Sequence, residues 1–318
     1  MSERSRGHWD VTVAIFAFNR PTHLQRLVDS LDTNPLFPHL NTVIFCDGPR
    51  NEQDSPGVQE TRLLARKWIA ERGWSGVFRE RNLGLSNSVI SGVTRCLEMS
   101  YQVIVLEDDL EVGPHFLSYM TRELARFQED QRISSISGYT LPALSRKSPR
   151  SAGFLRGAEC WGWGTWKDRW GEAEWDSEML LTSISSNLLT SFQFKLSSQP
   201  RSYSLLKRQS EGDIDSWAIR WHASNWIAGR RYLFPPVSHV RNTGHDGSGT
   251  HSGSTSKYDT VLSQSDSCPK IGTVRTRTAD IARMRISECR QALVDYLRVL
   301  SDPAYRWLRS FRGGRRPP

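Results

Sequence analysis

Val103, Ile104, Val105 and Leu106 run without a break into Glu107, Asp108 and Asp109, and few folds accommodate such a junction. Four apolar residues of this kind suit a strand covered on both faces, the environment of a parallel sheet. Three adjacent carboxylates repel one another, and burying them unpaired costs several kcal/mol. Both demands are met at the carboxyl end of a strand in an open α/β sheet, where such sheets bind their ligands. A cation held there is one explanation of the triplet. A solvated acidic turn after a core strand is the other.

The flanking sequence favours the sheet. Val11–Phe18, Thr42–Cys46, Gly76–Arg79, Tyr101–Leu106 and Ile133–Ser137 read as strands. Between them, Pro21–Leu31, a segment through Leu63–Ala70, Ser86–Met99 and Pro114–Phe127 carry apolar residues at helical spacing. Strands alternating with helices of this length predict a doubly wound, mostly parallel sheet with helices on both faces. The polar ends Asn19-Arg20, Asp47-Gly48 and Glu107–Asp109 should then converge on one crevice. Beyond about residue 134 the alternation stops. An Arg/Ser/Pro-rich loop (Ser145–Ala152), the aromatic block Cys160–Trp175 and a Ser/Leu-rich helical stretch (Leu180–Leu206) follow. A helix from Asp215 to about Ile227, a strand over Tyr232–Val237 and a Gly/Ser/His segment at 242–255 come next. Residues 1–133, 134–255 and 256–318 are accordingly expected to be a ligand-binding half, an irregular Trp-rich half, and a linker with a basic helical tail.

At 318 residues the chain can bury a large core. No segment approaches the roughly 18 apolar residues needed to span a bilayer, and the N-terminus lacks an apolar signal core. The five cysteines, Cys46, Cys96, Cys160, Cys268 and Cys289, are widely spaced and form no CxxC pair. A reducing, cytoplasmic setting is therefore expected, with Cys46 and Cys96 as small core residues. The net charge of +8 is concentrated toward the C-terminus, which ends with Arg306, Arg309, Arg312, Arg315 and Arg316. These arginines alternate with Trp307, Leu308 and Phe311, a pattern that suits peripheral contact with an anionic membrane as well as a solvated terminus. No DNA-reading motif is present, so a nucleic-acid partner is not expected.

Six constellations carry chemistry. The oxygen-only triplet suits a hard divalent cation, Mn²⁺ or Mg²⁺, shared with a substrate phosphate. Asp47-Gly48 after a strand is also a turn former. In Arg81-Asn82-Leu83-Gly84-Leu85-Ser86, Gly84 permits close backbone approach at a helix start, where Asn82 or Ser86 can also serve as a cap. Trp161, Trp163 and Trp166 sit in a Gly/Trp alternation that either lines a ligand or plugs a core. Asp213 and Asp215 precede Trp217 at a helix start, as candidate bases or as an N-cap. Finally, Asn242–His251 is too Gly-rich for a core element, and His251, with His245 behind it, is a candidate metal or phosphate contact.

Taken in order, these segments resemble the GT-A glycosyltransferases, in which a DxD-type motif ends the fourth strand. The triplet resembles the Glu-Asp-Asp of inverting N-acetylglucosaminyltransferases, and the later segments resemble bacterial family-2-like sugar transferases. The resemblance covers roughly residues 10–255. It implies a metal-dependent, inverting enzyme that moves a sugar from a nucleotide-diphospho-sugar, UDP-linked by preference, to an acceptor hydroxyl. The acceptor would be a glycan or a lipid-linked saccharide of an envelope polysaccharide. On this reading Asp109 and His251 contact the metal, and Phe18, Arg20, Asp47, Arg81, Asn82, Gly84, Glu107 and Asp108 surround the donor. Trp161, Trp163, Trp166 and Trp217 line the acceptor, and Asp215, or else Asp213, is the base. Ser216 departs from the relatives' Asp-Asp-Trp. Two rival readings are a non-catalytic saccharide-binding module and a metal-dependent nucleotidyltransferase. The absence of glycine from Phe18-Asn19-Arg20-Pro21 counts against the second.

Overall fold

Every residue of strand β1, Val11–Ala17, is buried, as expected for a strand with neighbours on both edges and helices on both faces. The structure, a computed structural model, describes residues 10–140, 151–195, 201–244, 260–266 and 270–271. Packing divides the chain into two units, Met1–Thr276 and Arg277–Pro318, and all described residues lie in the first.

β1 pairs in parallel with β2 (Asn41–Cys46) on one side and with β4 (Gln102–Glu107) on the other, and β2 pairs in parallel with β3 (Ser75–Phe78). In this register Phe16 lies opposite both Phe45 and Glu107, so the three strands end together. Three helices make the crossovers. Helix α1 (Pro21–Leu31) has proline in its first turn, where no amide partner is needed, and buries Leu24, Leu27, Val28 and Leu31. Helix α2 (Ser55–Arg72) is longer than the periodicity of Leu63–Ala70 suggests; Pro56 opens it, and Gly73 ends it at φ 68°. Helix α3 (Gly84–Met99) buries Val89, Val93, Cys96 and Leu97. Side chains of α1, α2 and α4 (Phe116–Arg126) form the core on one face of the sheet, and those of α3 form the core on the other.

The second half extends the same sheet with mixed strand directions. β8 (Trp163–Trp166) lies between β4 and β6 (Ile133–Ser137), antiparallel to both. β9 (Arg231–Phe234) runs parallel to β6, followed by β7 (Ser151–Arg156) and the short β11 (Lys270–Ile271). Among the described residues the result is a nine-stranded mixed α/β sheet, parallel from β4 through β3, as expected from the strand–helix alternation. A separate two-stranded ladder joins β5 (Leu110–Val112) to β10 (Val240–Asn242). The stretch Leu180–Leu206 is not one helix. It forms α6 (Ser177–Ser185) and α7 (Leu188–Lys195) and reaches into α8 (Ser202–Ser210), with α5 (Lys167–Gly171) before them and α9 (Trp217–Ile227) after. No helix among the described residues is long and apolar enough to cross a membrane.

The aromatic block departs from the expectation that it lines a ligand. Trp163-Gly164-Thr165-Trp166 is a central strand, so side chains point alternately to the two faces, and both tryptophans are completely buried. Trp163 stacks on Trp217 with ring centroids 5.2 Å apart and also contacts Trp170 and Trp221, which makes an aromatic layer under α3 and α9. Trp166, on the opposite face, donates its indole N–H to the Leu124 carbonyl at 3.1 Å. Trp163, Trp166 and Trp217 are thus core residues. Trp161, half-buried and edge-on to Tyr139, is the one ring of the four that retains exposure.

Candidate active site

The carboxyl ends of β1, β2 and β4 position most of the residues singled out by sequence. The β1–β4 ladder continues one step, from the Asp108 amide to the Phe16 carbonyl at 2.9 Å, and this step draws the acidic triplet against the loop after β1. The Asp108 carboxylate accepts the Phe18 amide at 3.2 Å and a guanidinium N–H from Arg20, and Arg20 also reaches Asp109 at 3.1 Å. One arginine therefore serves two acids. Charge-assisted bonds of this kind are the strong ones. Burial lowers the pKa of Arg20, but Asp108 and Asp109 more than offset this, so its pKa is raised overall.

Among the described residues Glu107 makes no such ion pair. Burial, reinforced by the neighbouring Asp109 and Asp108, pushes its carboxyl up to about 8. Burial also raises Asp108, to about 6, with Arg20 opposing the shift. Burial is the larger cause of both shifts, and repulsion among the carboxylates adds to it. Asp109 is better exposed, and its side chain retains 17% of its accessible surface. The Thr243 amide and hydroxyl bond its backbone carbonyl at 2.7 and 2.9 Å, and Gly244 passes so close that any side chain there would overlap the Asp109 carboxylate. The Gly-rich segment after β10 therefore does meet the triplet, as far as Gly244. His245 and His251 lie outside the described residues.

The second cluster gathers around the start of α3. Asp47 is buried, and its carboxylate accepts the amides of Gly48 at 2.9 Å and Leu83 at 3.0 Å. Asn82 bonds the Gly48 carbonyl at 2.8 Å and accepts the Gly84 amide at 3.0 Å. Asp47 and Asn82 thus stitch the end of β2 to the helix start and satisfy amides that a helix leaves open there. Arg81 is exposed on the rim, and Phe18 lies half-buried under the Arg50 guanidinium, 5.0 Å away.

Gly84, at φ 76°, leaves room for Asp215: a Cβ at position 84 would sit 3.3 Å from Asp215 Oδ2. The N-cap of α9 is Ser216, whose hydroxyl accepts the Ile219 amide at 3.4 Å. Asp215 is therefore not needed as a cap, and its carboxylate is 55% exposed. Asp213 is equally open but lies beside Arg208 at 3.9 Å.

Three contributors escaped the sequence reading. Arg220 bonds Ser86, the Ser216 carbonyl at 3.2 Å and Asp215 at 3.4 Å. Its signal was the spacing of a helical arginine five residues after an acid, which is common on any exposed helix. Ser86, read only as a cap, is buried as the Arg220 acceptor. Glu159 has its carboxyl raised by burial, although the Cys160 amide donates to it at 2.9 Å. Glu159, Glu107 and Asp109 all push the Cys160 thiol up, after burial itself, so these acids share one electrostatic neighbourhood.

The donor set at the triplet is all oxygen, which suits a hard divalent ion. Asp108 is already committed to Arg20 and Phe18. Among the described residues no group of three or more His, Cys, Asp or Glu is arranged to hold a metal. The residues present fit an ion held through Asp109, with Glu107 nearby and the remaining positions left to phosphate and water. Mg²⁺-type sites commonly use one or two carboxylates in this way.

No protein-family model matches the chain, and no curated protein matches it. Among solved structures it is similar to S. aureus TarS 1-349 in complex with UDP. That match has 14% identity and a TM-score of 0.30, over 40% of this chain and 34% of that one. A second structure of S. aureus TarS 1-349 gives 10% identity and a TM-score of 0.42, over 74% of this chain and 60% of that one. GalNAc-T7 with UDP, GalNAc and Mn2+ gives 13% identity and a TM-score of 0.42, over 73% of this chain and 43% of that one. The chain spans less than two thirds of the length of each.

Proposed function

We infer that the chain is a metal-dependent glycosyltransferase that moves a sugar, with inversion, from a nucleotide-diphospho-sugar to an acceptor hydroxyl. The observation that carries this reading is the pairing of two kinds of carboxylate at the carboxyl ends of the parallel strands. One kind is crowded and short of cation (Glu107, Asp108, Asp109), and the other is open and free of any capping duty (Asp215). Asp109 would hold Mn²⁺ or Mg²⁺, which when bound neutralises the diphosphate leaving group. Arg20 keeps the triplet from repelling itself apart, and Glu107 is the acid left to meet the donor's sugar or ribose. Asp47 braces the loop beneath the base, with uracil the base implied by the sequence resemblance.

In the transfer the acceptor oxygen attacks the anomeric carbon, the bond from that carbon to the diphosphate breaks, and Asp215 takes the acceptor's proton. Asp213 is the alternative base. Trp161 is the ring open to a glycan or lipid-linked acceptor. The test is hydrolysis or transfer of UDP-sugars by the full chain with and without Mn²⁺. Asp109→Asn should lower turnover by about a hundredfold or more, the size of a lost electrostatic contact to the leaving group, with the melting temperature unchanged. Turnover in Asp109→Asn equal to wild type would remove the metal role. Asp215→Asn should slow the chemical step while leaving donor affinity nearly intact.

A further inference from the structure

Helix α7 is apolar on two sides, and the core covers only one of them. Phe194 and Ser191 are buried, Phe194 against Trp226 at a centroid distance of 5.1 Å, in a small cluster with Leu180, Ile184 and Leu206. On the outer side Leu188, Leu189 and Phe192 are 90%, 63% and 60% exposed. Phe192 lies four residues after Leu188 and three after Leu189, so the three side chains are neighbours on the helix surface. A helix with apolar residues on both sides is ordinarily covered on both. Here no described residue covers the outer one.

Within the segment that carries this patch the charge has one sign, and the acids lie outside it, at Asp176 and Glu178 before α7 and Glu211 and Asp213 after α8. From position 187 to 210 the sequence carries Lys195, Arg201, Lys207 and Arg208 and no acidic residue, and all four cations are exposed. Lys207 and Arg208 lie 3.4 and 3.9 Å from Glu211 and Asp213. Exposed pairs of this kind hold loosely and exchange readily for another anion.

We propose that the Leu188–Leu189–Phe192 face of α7, with Lys195 at the end of the same helix and Arg201, Lys207 and Arg208 at the start and end of α8, docks on the surface of a membrane that contains anionic lipid. Large apolar side chains beside a cationic margin are what an interfacial helix presents to headgroups and upper acyl chains. A second copy of the chain fits less well. Three partly exposed side chains offer at most about 400 Å², roughly half of the ~800 Å² per partner that a stable protein interface buries.

The test is sedimentation of the full chain with vesicles of phosphatidylcholine alone and of phosphatidylcholine mixed with phosphatidylglycerol. Wild type should pellet with the mixed vesicles and far less with the neutral ones. Leu188→Ser with Phe192→Ser should lower that partition on the order of tenfold or more. Lys195→Gln and Arg201→Gln should lower it about fivefold each. All these positions are exposed, and an unchanged thermal melt establishes that each variant is folded. The basic tail is retained in every variant, so its contribution is common to all and a difference between variants belongs to the substituted positions. Undiminished pelleting of the double Ser variant overturns the proposal. So does a wild-type chain that stays in the supernatant, or one that pellets equally with neutral vesicles. A concentration-dependent dimer abolished by the same substitutions would assign the patch to self-association instead.

Discussion

Arg220 distinguishes the surroundings of the two aspartates proposed as the base. It leaves the first turn of α9 and reaches the Ser86 hydroxyl at the start of α3 while keeping the Asp215 carboxylate within 3.4 Å. Among the described residues Asp213 has no comparable tether to α3. Burial pulls the Arg220 pKa down from its ordinary value, with Asp215 partly offsetting the effect. Arg220 is thus a positioning residue for the proposed base, and its removal should separate two effects. Arg220→Met should cost about 1–3 kcal/mol of stability through lost charge-assisted bonds, read by urea unfolding. It should also lower kcat by about tenfold or more with little change in the donor KM, because misplacing a reacting group affects the chemical step. Arg220→Lys should restore stability better than kcat, since a lysine lacks the Nε–H that bonds the Ser216 carbonyl and fixes the direction of the terminal nitrogen shared by Ser86 and Asp215. Lost stability in both variants with kcat per folded molecule unchanged would reduce Arg220 to a structural strut.

At the scale of elements, the legible part of the chain was the part with a simple period. The first four strands, the helices between them and the convergence of Asn19-Arg20, Asp47-Gly48 and Glu107–Asp109 followed from buried runs, alternation and the chemistry of crowded carboxylates. The misread part was β8. Glycine and tryptophan in Trp-Gly-Thr-Trp signal close approach and flat rings, but a four-residue run does not say whether ligand or protein makes that approach. The structure answers that protein does. A Cβ on Gly164 would lie 2.9 Å from the Val103 carbonyl and 3.0–3.1 Å from Leu124 and Met120, so the glycine exists to let α4 rest on the sheet. Gly164→Ala should therefore destabilise by about 1–3 kcal/mol through overpacking, measured by denaturant unfolding, with no specific effect on donor binding. Asp47 was ambiguous for a related reason. A turn-forming Asp-Gly and a base-contacting Asp look alike in sequence, and only the bonds to Gly48 and Leu83 reveal its bracing role.

Across the whole molecule, buried ionisable groups of opposite sign act on stability over the same pH range. Burial draws His222, whose Nδ1 accepts the Ala158 amide at 3.3 Å, down to about 4, and draws His239, stacked on Tyr119, down to about 4 as well. An unfolded imidazole titrates near 6.5, so between pH 6.5 and 4 each of these histidines binds more protons in the unfolded chain than in the folded one. Stability from each histidine is complete above that window and is lost as pH falls through it. Glu107 and Asp108 act the other way, because their raised folded values mean that the folded chain takes up protons first as pH falls. Wild-type stability against pH is the sum of these terms, and its slope alone does not identify any one of them. A difference measurement isolates one. His222→Gln keeps a hydrogen-bonding group in the cavity and removes one titration, whatever its own fixed cost. The stability advantage of wild type over His222→Gln should shrink by about 3 kcal/mol between pH 7 and pH 4, measured by urea unfolding at each pH. An advantage that stayed constant across that range would mean His222 titrates alike in the folded and unfolded chains, and that the packing of α9 against Ala158 is open enough to admit a charged ring.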